Sequence, residues 1–229
     1  MHGTGSERGE KYYLCIMKII FATGNKGKLR EAQEILGPDF ELVSPAELGI
    51  TEDIPETGDT LEENSRQKAD YLYERTGLDV FADDTGLEVD ALGGAPGVYT
   101  ARYAAMRALE RGDAAAAEAI GHDFGANMDA LLEALEGAGA MENEKRTARF
   151  RSVVTLILDG EHLCFDGTME GWIAPRKAGC GGFGYDPVFI PDAYPDRTTA
   201  ELGEEVKNAI SHRGKALRAM AAWLKENCK

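Results

Sequence analysis

The chain is poor in the residues that build metal clusters and disulfide frameworks. Its 229 residues include four cysteines (Cys15, Cys164, Cys180, Cys228) and four histidines (His2, His122, His162, His212). No CxxC pair and no metal-ligand histidine spacing occurs among them, so neither a zinc motif nor a disulfide scaffold is indicated. A reduced, cytoplasmic setting follows as the expectation. Long apolar runs are also missing: no stretch approaches the ~20 residues of a membrane span. The first sixteen residues are polar and glycine-containing, unlike a secretory signal. Basic residues are the third shortage, with 25 Lys and Arg against 40 Asp and Glu and a formal net charge of -15. That balance excludes a general nucleic-acid surface. It leaves room for a small anionic ligand, because binding depends on the field inside a cleft and not on the total charge.

What is present describes an ordinary globular protein, 43% hydrophobic and 28% charged, long enough for one large domain or two lobes around a cleft. Met17 directly precedes the first apolar run, so residues 1–16 read as an extension that is disordered or loosely packed. The run KIIFAT at 18–23 predicts a strand, followed by a helix with Leu29, Ala32, Ile35 and Leu36 on one stripe and a stop at Gly37-Pro38. A strand is expected at 40–43. Thr60 with Glu63 forms a capping box for a second helix, and a strand at 79–82 then delivers Asp83 and Asp84 before a turn at Thr85-Gly86. An Ala- and Glu-rich stretch follows, in which Phe124, Met128, Leu131, Leu132 and Leu135 recur at helical spacing. An antiparallel meander occupies the second half, with Asp159-Gly160 as its hairpin turn. A glycine-rich segment at 179–184 leads into a strand at 185–190, and Thr198 with Glu201 caps a helical C-terminal end.

Three groups of residues point to chemistry. Thr23-Gly24-Asn25-Lys26-Gly27-Lys28 is a glycine loop between strand and helix, where free backbone N–H groups attract phosphate. Its spacing is too short for a Walker loop, and Leu29 stands where Ser or Thr is required. The adjacent acids Asp83 and Asp84, with Glu56 from a turn before the second helix, supply hard oxygen ligands suited to magnesium. Adjacent like charges also cost energy unless a cation offsets them. The bland alternative for the charges of that helix is a solvated face, with Asn64 and Lys68 paired at i,i+4. The third group is aromatic and basic. Phe183-Gly184-Tyr185-Asp186 combines a stacking ring with a carboxylate, and Lys207, His212, Arg213 and Lys215 form a basic cluster in an acidic chain.

Taken together, TGNKGK, PETG, LEEN…KA, ADDTGLEVDALGGAPGVYTARY, GGFGYDPVF and ELGEEVKNAISHRGKAL resemble the inosine triphosphate pyrophosphatase family, in the family's order from Met17 onward. The resemblance implies an elongated, two-lobed α/β fold, a mixed sheet flanked by helices with a central nucleotide cleft, as one domain over 17–229. It implies a homodimer and magnesium-dependent conversion of ITP, dITP or XTP to the monophosphate and pyrophosphate, with no nucleic acid or membrane partner. Carried over by residue, Asp84 is the catalytic carboxylate and a metal ligand, Glu56 a second metal ligand, and Asp83 a supporting acid. Residues 23–28, Lys68 and Thr85 hold the phosphates. Phe183, with Gly184 and Tyr185 beside it, stacks on the base; Asp186, Lys207, His212 and Arg213 complete base recognition. The chain departs from the family in an Ala-rich insert at about 104–121, expected to be a surface helix without ligands. Three rivals stand against this reading: a sensor that binds without turnover has no need of both Glu56 and Asp84, a pyrophosphatase for pyrimidine or modified nucleotides has no need of the keto-reading pair His212-Arg213, and a magnesium phosphatase for a sugar phosphate has no need of Phe183.

Overall fold

The computed structural model describes residues 16–142 and 145–227. The expectation for residues 1–16 therefore lies, except for exposed Ile16, outside the described residues. Strand β1 (Met17–Phe21) is followed by helix α1 (Lys26–Leu36), strand β2 (Phe40–Val43), helix α2 (Leu61–Thr76) and strand β3 (Val80–Val89). Side chains on β1 alternate between two layers, as a strand requires. Ile19 and Phe21 pack with α1 residues Ala32 and Leu36, whereas Ile20 and Ala22 pack with α2 residues Ala69 and Leu72. The two helices thus cover opposite faces of the sheet. Both β2 and β3 pair with β1 in parallel, so the chain passes to either side of β1. In an open α/β sheet the carboxyl ends beside such a switch point frame a ligand crevice.

Among the described residues the sheet has seven strands in the order β2-β1-β3, then β5 (Thr147–Leu158), β6 (Glu161–Ile173) and β7 (Phe189–Pro191), with the short β4 (Pro96–Gly97) on β3. β5 and β6 form a long antiparallel hairpin. Its turn is Asp159-Gly160, both at positive φ (50° and 85°), as a tight hairpin demands. The helices α3 (Tyr103–Glu110), α4 (Ala114–Ile120) and α5 (Phe124–Gly137) precede the hairpin, and α6 (Glu204–Ile210) and α7 (His212–Asn227) close the chain. The core falls into two halves along the long strands. At one end α1 and α7 pack on β1, β3 and β5; at the other, Leu87, Val89, Phe150 and Ile173 meet Tyr103 of α3 and Leu131 and Leu135 of α5. This is the mixed α/β architecture expected.

Four local expectations are corrected. The strand reaching Asp83 and Asp84 does not turn at Thr85-Gly86; it runs on to Val89, because β5 pairs with it residue for residue from Ile157 to Ala148. The strand expected at 185–190 is shortened to β7, since Tyr185 carbonyl accepts from both Val188 and Phe189 amides and bends the backbone there. The Thr198–Glu201 capping box exists but caps a single 3-10 turn, Thr199–Glu201. The Ala-rich stretch is not one surface helix but the end of α3 plus α4. Ala105 and Ala108 of α3 bury Ala117 of α4 between the two helices.

Candidate active site

Because β3 stays extended through Asp83 and Asp84, strand alternation sends the adjacent carboxylates to opposite faces of the sheet. Asp83 turns toward α1 and α7. Both its oxygens accept from Lys28 Nζ at 2.9 Å, and Oδ2 also accepts from Arg213 Nε at 3.1 Å. Burial alone would raise its pKa, yet Lys28, Arg213 and Lys68 hold its carboxyl far below the usual carboxylate range. Asp84 turns toward α2. Its Oδ1 accepts from Lys68 Nζ at 2.8 Å and its Oδ2 from Asn64 Nδ2 at 3.4 Å. Here burial wins: it lifts the Asp84 carboxyl above its ordinary value, with Glu56 and Asp83 adding and Lys68 opposing. Two neighbours in sequence are thus electrostatically different acids. The charge repulsion expected to need one shared cation is relieved instead by separate cations on either face.

Lys68 is only 5% exposed, and it also donates to Glu56 Oε1 at 3.0 Å. The solvated-face reading of Asn64 and Lys68 is therefore corrected: both lie on the buried side of α2 with Leu61, Ala69 and Leu72. Asn64 additionally accepts from the Gly58 amide at 2.8 Å, fastening the turn that carries Glu56 to the helix. The two acids of the sequence reading do converge, and they converge on one positive centre. Their chemistry fits a hard divalent cation, which readily takes two carboxylates and completes its shell with water and phosphate oxygens. Among the described residues no cluster of three or more His, Cys, Asp or Glu exists to cage a metal fully. Glu56 and Asp84 are the residues that would hold it.

Beside this centre lies a cleft of about 600 Å³ lined by Ala22, Thr23, Gly24, Lys28, Glu56, Lys68, Asp83 and Arg102, with a wall from residues 45–54. That volume suits a small-molecule ligand. Gly24 lines it, and Asn25, Lys26 and Gly27, which follow, are exposed. The loop amides are not all free, as the glycine-loop reading supposed. Asn25 Oδ1 caps α1 by accepting from the Gly27 and Lys28 amides at 2.8 and 3.2 Å, and Thr23 Oγ1 accepts from the Asn25 amide at 3.1 Å. The loop is therefore shaped by its own side chains, and Lys28 is the loop cation that reaches inward. Thr85 Oγ1 donates to Ser152 Oγ at 3.0 Å, across the strand pair.

The third group is contiguous with the first two. Arg213 joins Asp83 to Glu31 of α1, its NH1 lying 3.2 Å from Glu31 Oε2. His212, at the start of α7, stacks on Phe150 with centroids 5.0 Å apart and planes 13° apart. Burial, helped by Arg213, pushes its pKa down to about 3, so the ring is neutral at physiological pH. Its buried Nδ1 has no hydrogen-bond partner among the described residues. The first turn of α7 can sit so close to the sheet because Gly167 of β6 lacks a Cβ, which would meet the His212 carbonyl at 2.2 Å. Lys207 of α6 is ion-paired with the buried Asp186. Asp186 also accepts from the Phe183 amide at 2.6 Å.

The aromatic residues divide. Phe183 is 68% exposed and meets Phe124 edge to face with centroids 4.3 Å apart. Tyr185 is core, its hydroxyl donating to the Thr100 carbonyl at 3.0 Å, and it braces the fold from inside. Gly184 takes a left-handed φ of 63° between them. Neither Phe183 nor His212 lines the 600 Å³ cleft, so the structure does not bring the residues expected at the base into the same cavity as Lys28 and Lys68. Sequence reasoning missed Asn64, Glu31, Phe124 and Arg102 as site neighbours. Only for Asn64 did a signal exist, since it shares the apolar face of α2 with Leu61, Leu72 and Lys68.

Residues 19–223 match the model of the Ham1 family. A dITP/XTP pyrophosphatase of Flavobacterium johnsoniae is 46% identical over 204 residues, covering 89% of this chain and 96% of that protein. One of Porphyromonas gingivalis is 48% identical over 208 residues, covering 90% and 97%. Among solved structures, a HAM1 protein from Coxiella burnetii superposes with a TM-score of 0.79 at 38% identity, covering 92% of this chain and 99% of that one. With the fold, the order of motifs and nearly the whole length in agreement, this chain belongs to the Ham1 family.

Proposed function

We propose that the protein hydrolyses the non-standard purine triphosphates ITP, dITP and XTP to the nucleoside monophosphate and pyrophosphate, and so cleanses the nucleotide pool. The observation that carries this reading is the convergence of Glu56 and Asp84 on Lys68 beside a lysine-bearing cleft, in a chain closely similar to dITP/XTP pyrophosphatases. Resemblance alone supports a homodimer working in the cytoplasm. Among the described residues no helix is long and apolar enough to cross a membrane.

The residues divide the work as follows. Asp84 accepts a proton from the water that attacks the α-phosphorus; the new P–O bond forms as the bond to the β-phosphate bridge breaks. Its burial-raised pKa makes it a better base than a solvated aspartate, as general-base catalysis near neutral pH requires. Glu56 and Asp84 would hold magnesium, which when bound would supply positive charge against the phosphate oxygens. Thr23, Gly24, Asn25, Lys26, Gly27, Lys28, Lys68 and Thr85 hold the phosphate chain, so catalysis rests mainly on positioning and electrostatics.

Discrimination resides at the other end. Phe183 presents an open ring for stacking. Among the described residues Arg213 spends Nε and NH1 on Asp83 and Glu31 and leaves NH2 uncommitted, and His212 holds an unpaired buried nitrogen. Donors aimed at a 6-keto oxygen would face an amino group in ATP, at about 1–3 kcal/mol for each buried donor left unpaired. Asp186 fixes Lys207 in the same region. The test is incubation with ITP, XTP, dITP, ATP and dTTP plus magnesium, with pyrophosphate and orthophosphate measured separately. Pyrophosphate from the first three alone is expected; orthophosphate, or no turnover, overturns the reading.

A further inference from the structure

Most cations near the site are already committed to carboxylates. Lys28 is paired with Asp83, Lys68 with Asp84 and Glu56, Arg213 with Asp83 and Glu31, and Lys207 with Asp186. Arg102 differs. It is half-buried and lines the same cleft as Lys28 and Lys68. Among the described residues, however, its guanidinium has no carboxylate and no hydrogen-bond acceptor. Its guanidinium lies over the Tyr99 ring, with Cζ 5.6 Å from the ring centroid. In a chain with 40 acidic residues, a cleft arginine without a counter-ion leaves a positive charge to be met from outside.

The backbone that carries Arg102 is held from several directions. Thr100 Oγ1 accepts from the Leu87 amide at 2.8 Å and donates to the Gly97 carbonyl at 2.6 Å. The Thr100 carbonyl accepts from the Tyr185 hydroxyl. Buried Asn127 of α5 donates to the Ala101 carbonyl at 2.9 Å and accepts from the Ala104 amide at 2.8 Å. Tyr103, the next residue, is buried in the core. The turn is thus fixed on both sides of Arg102 by β3, α5 and the Tyr185 segment, while the side chain reaches the cleft.

We propose that Arg102 is a ligand of the substrate's phosphate chain, a pre-positioned fork for two phosphate oxygens. This deepens the function proposed above and rests on it. A planar guanidinium matches phosphate in a bidentate way that an ammonium cannot. Because Lys28 and Lys68 must share their charge with buried aspartates, Arg102 contributes uncompensated charge from the lining of the cleft itself. Its effect is greatest as negative charge grows on the departing pyrophosphate, so it acts on the transition state more than on ground-state binding.

The full-length protein, R102Q and R102K are compared for dITP hydrolysis and for inhibition by inorganic pyrophosphate. R102Q is expected to lower kcat/KM about 100-fold, mostly through kcat, at an unchanged melting temperature. It is also expected to weaken pyrophosphate inhibition tenfold or more, with R102K recovering part of both. If R102Q does not fold, R102M, which keeps the apolar stem, takes its place. Values for the variant within threefold of wild type on both measures overturn the assignment while leaving the function intact. Failure of the wild-type protein to release pyrophosphate from dITP overturns the function instead. Binding of pyrophosphate alone, followed by calorimetry, then still decides whether Arg102 is an anion ligand.

Discussion

Lys68 Nζ lies 2.8 Å from Asp84 Oδ1 and 3.0 Å from Glu56 Oε1, so one buried ammonium joins carboxylates delivered by a strand and by a loop. The arrangement gives Lys68 an electrostatic role of its own. It opposes the burial that raises the Asp84 carboxyl, while Asp84, Asp83 and Glu56 hold its own pKa above the ordinary lysine value against burial. Lys68→Met removes the influence that lowers the Asp84 pKa. Asp84 must be ionised to act as a base, so the acidic limb of the kcat/KM profile for dITP should move to higher pH in this variant. A limb that stays in place, measured between pH 5 and 9 in steps of about half a unit, would show that Asp84 is not the titrating base.

Asp84→Asn tests the same residue without changing its shape. The amide still accepts from Lys68 but cannot take a proton from water. Turnover of dITP should fall by about 10³-fold or more, within the range expected on losing a general base and its electrostatic support. The near- and far-UV circular dichroism should match the wild-type protein. An active, folded variant would remove the assignment.

Asp83 has a different duty, and the prediction for it concerns stability. It is buried between Lys28 and Arg213, so Asp83→Asn leaves two cations facing a neutral amide. Breaking a buried pair of this kind costs about 3–5 kcal/mol, which urea unfolding would read as a lowered midpoint. The sign of the pH dependence follows from the depressed folded-state pKa. The unfolded state binds its proton first as pH drops, so the stabilisation is complete above the usual carboxylate pKa of about 3.9 and declines progressively below it. The gap between wild type and variant should be full at pH 6 and narrower at pH 3. An equal gap at both would contradict this account.

These two aspartates also show what was legible in the sequence. The motif marked both residues, and the β-rich run before them announced the strand. The continuation to Val89 was hidden because Thr85-Gly86 has turn chemistry, and only pairing with β5, far along the chain at Ala148–Ser152, overrides it. Lys68 and Asn64 looked like an ordinary i,i+4 pair because their true partners, Asp84, Glu56 and Gly58, are set by tertiary packing. The capping box at Thr60 and the tight turn at Asp159-Gly160 were readable since their determinants are local. Arg102 stood within the quoted VYTARY block, yet its lack of a counter-ion becomes visible only once every nearby carboxylate has been matched with another cation.

Phe183 presents an exposed ring that the fold does not need for its core, and Phe124 of α5 meets it edge on. Phe183→Ala should therefore leave the melting temperature nearly unchanged and raise KM for dITP by about tenfold, in line with the worth of one base–aromatic stack. Phe124→Ala should have a smaller effect in the same direction, since it removes only the wall that orients the Phe183 ring. A large loss of stability in Phe183→Ala, or an unchanged KM, would assign the ring to the fold or to another surface.

Helix α4 touches the rest of the molecule mainly through Ala117, buried against Ala105 and Ala108 of α3. A carboxylate at that position has no partner in the small alanine cluster, so Ala117→Asp should detach α4. Burial of an unpaired charge is avoided by local unfolding rather than endured. Because α4 supplies no residue to the cleft, kcat/KM for dITP should stay within about twofold of wild type, while amide exchange over 114–120 accelerates sharply. If turnover instead falls together with protection in α3, the alanine pair is holding the turn of Arg102 in place and the insert belongs to the working machinery.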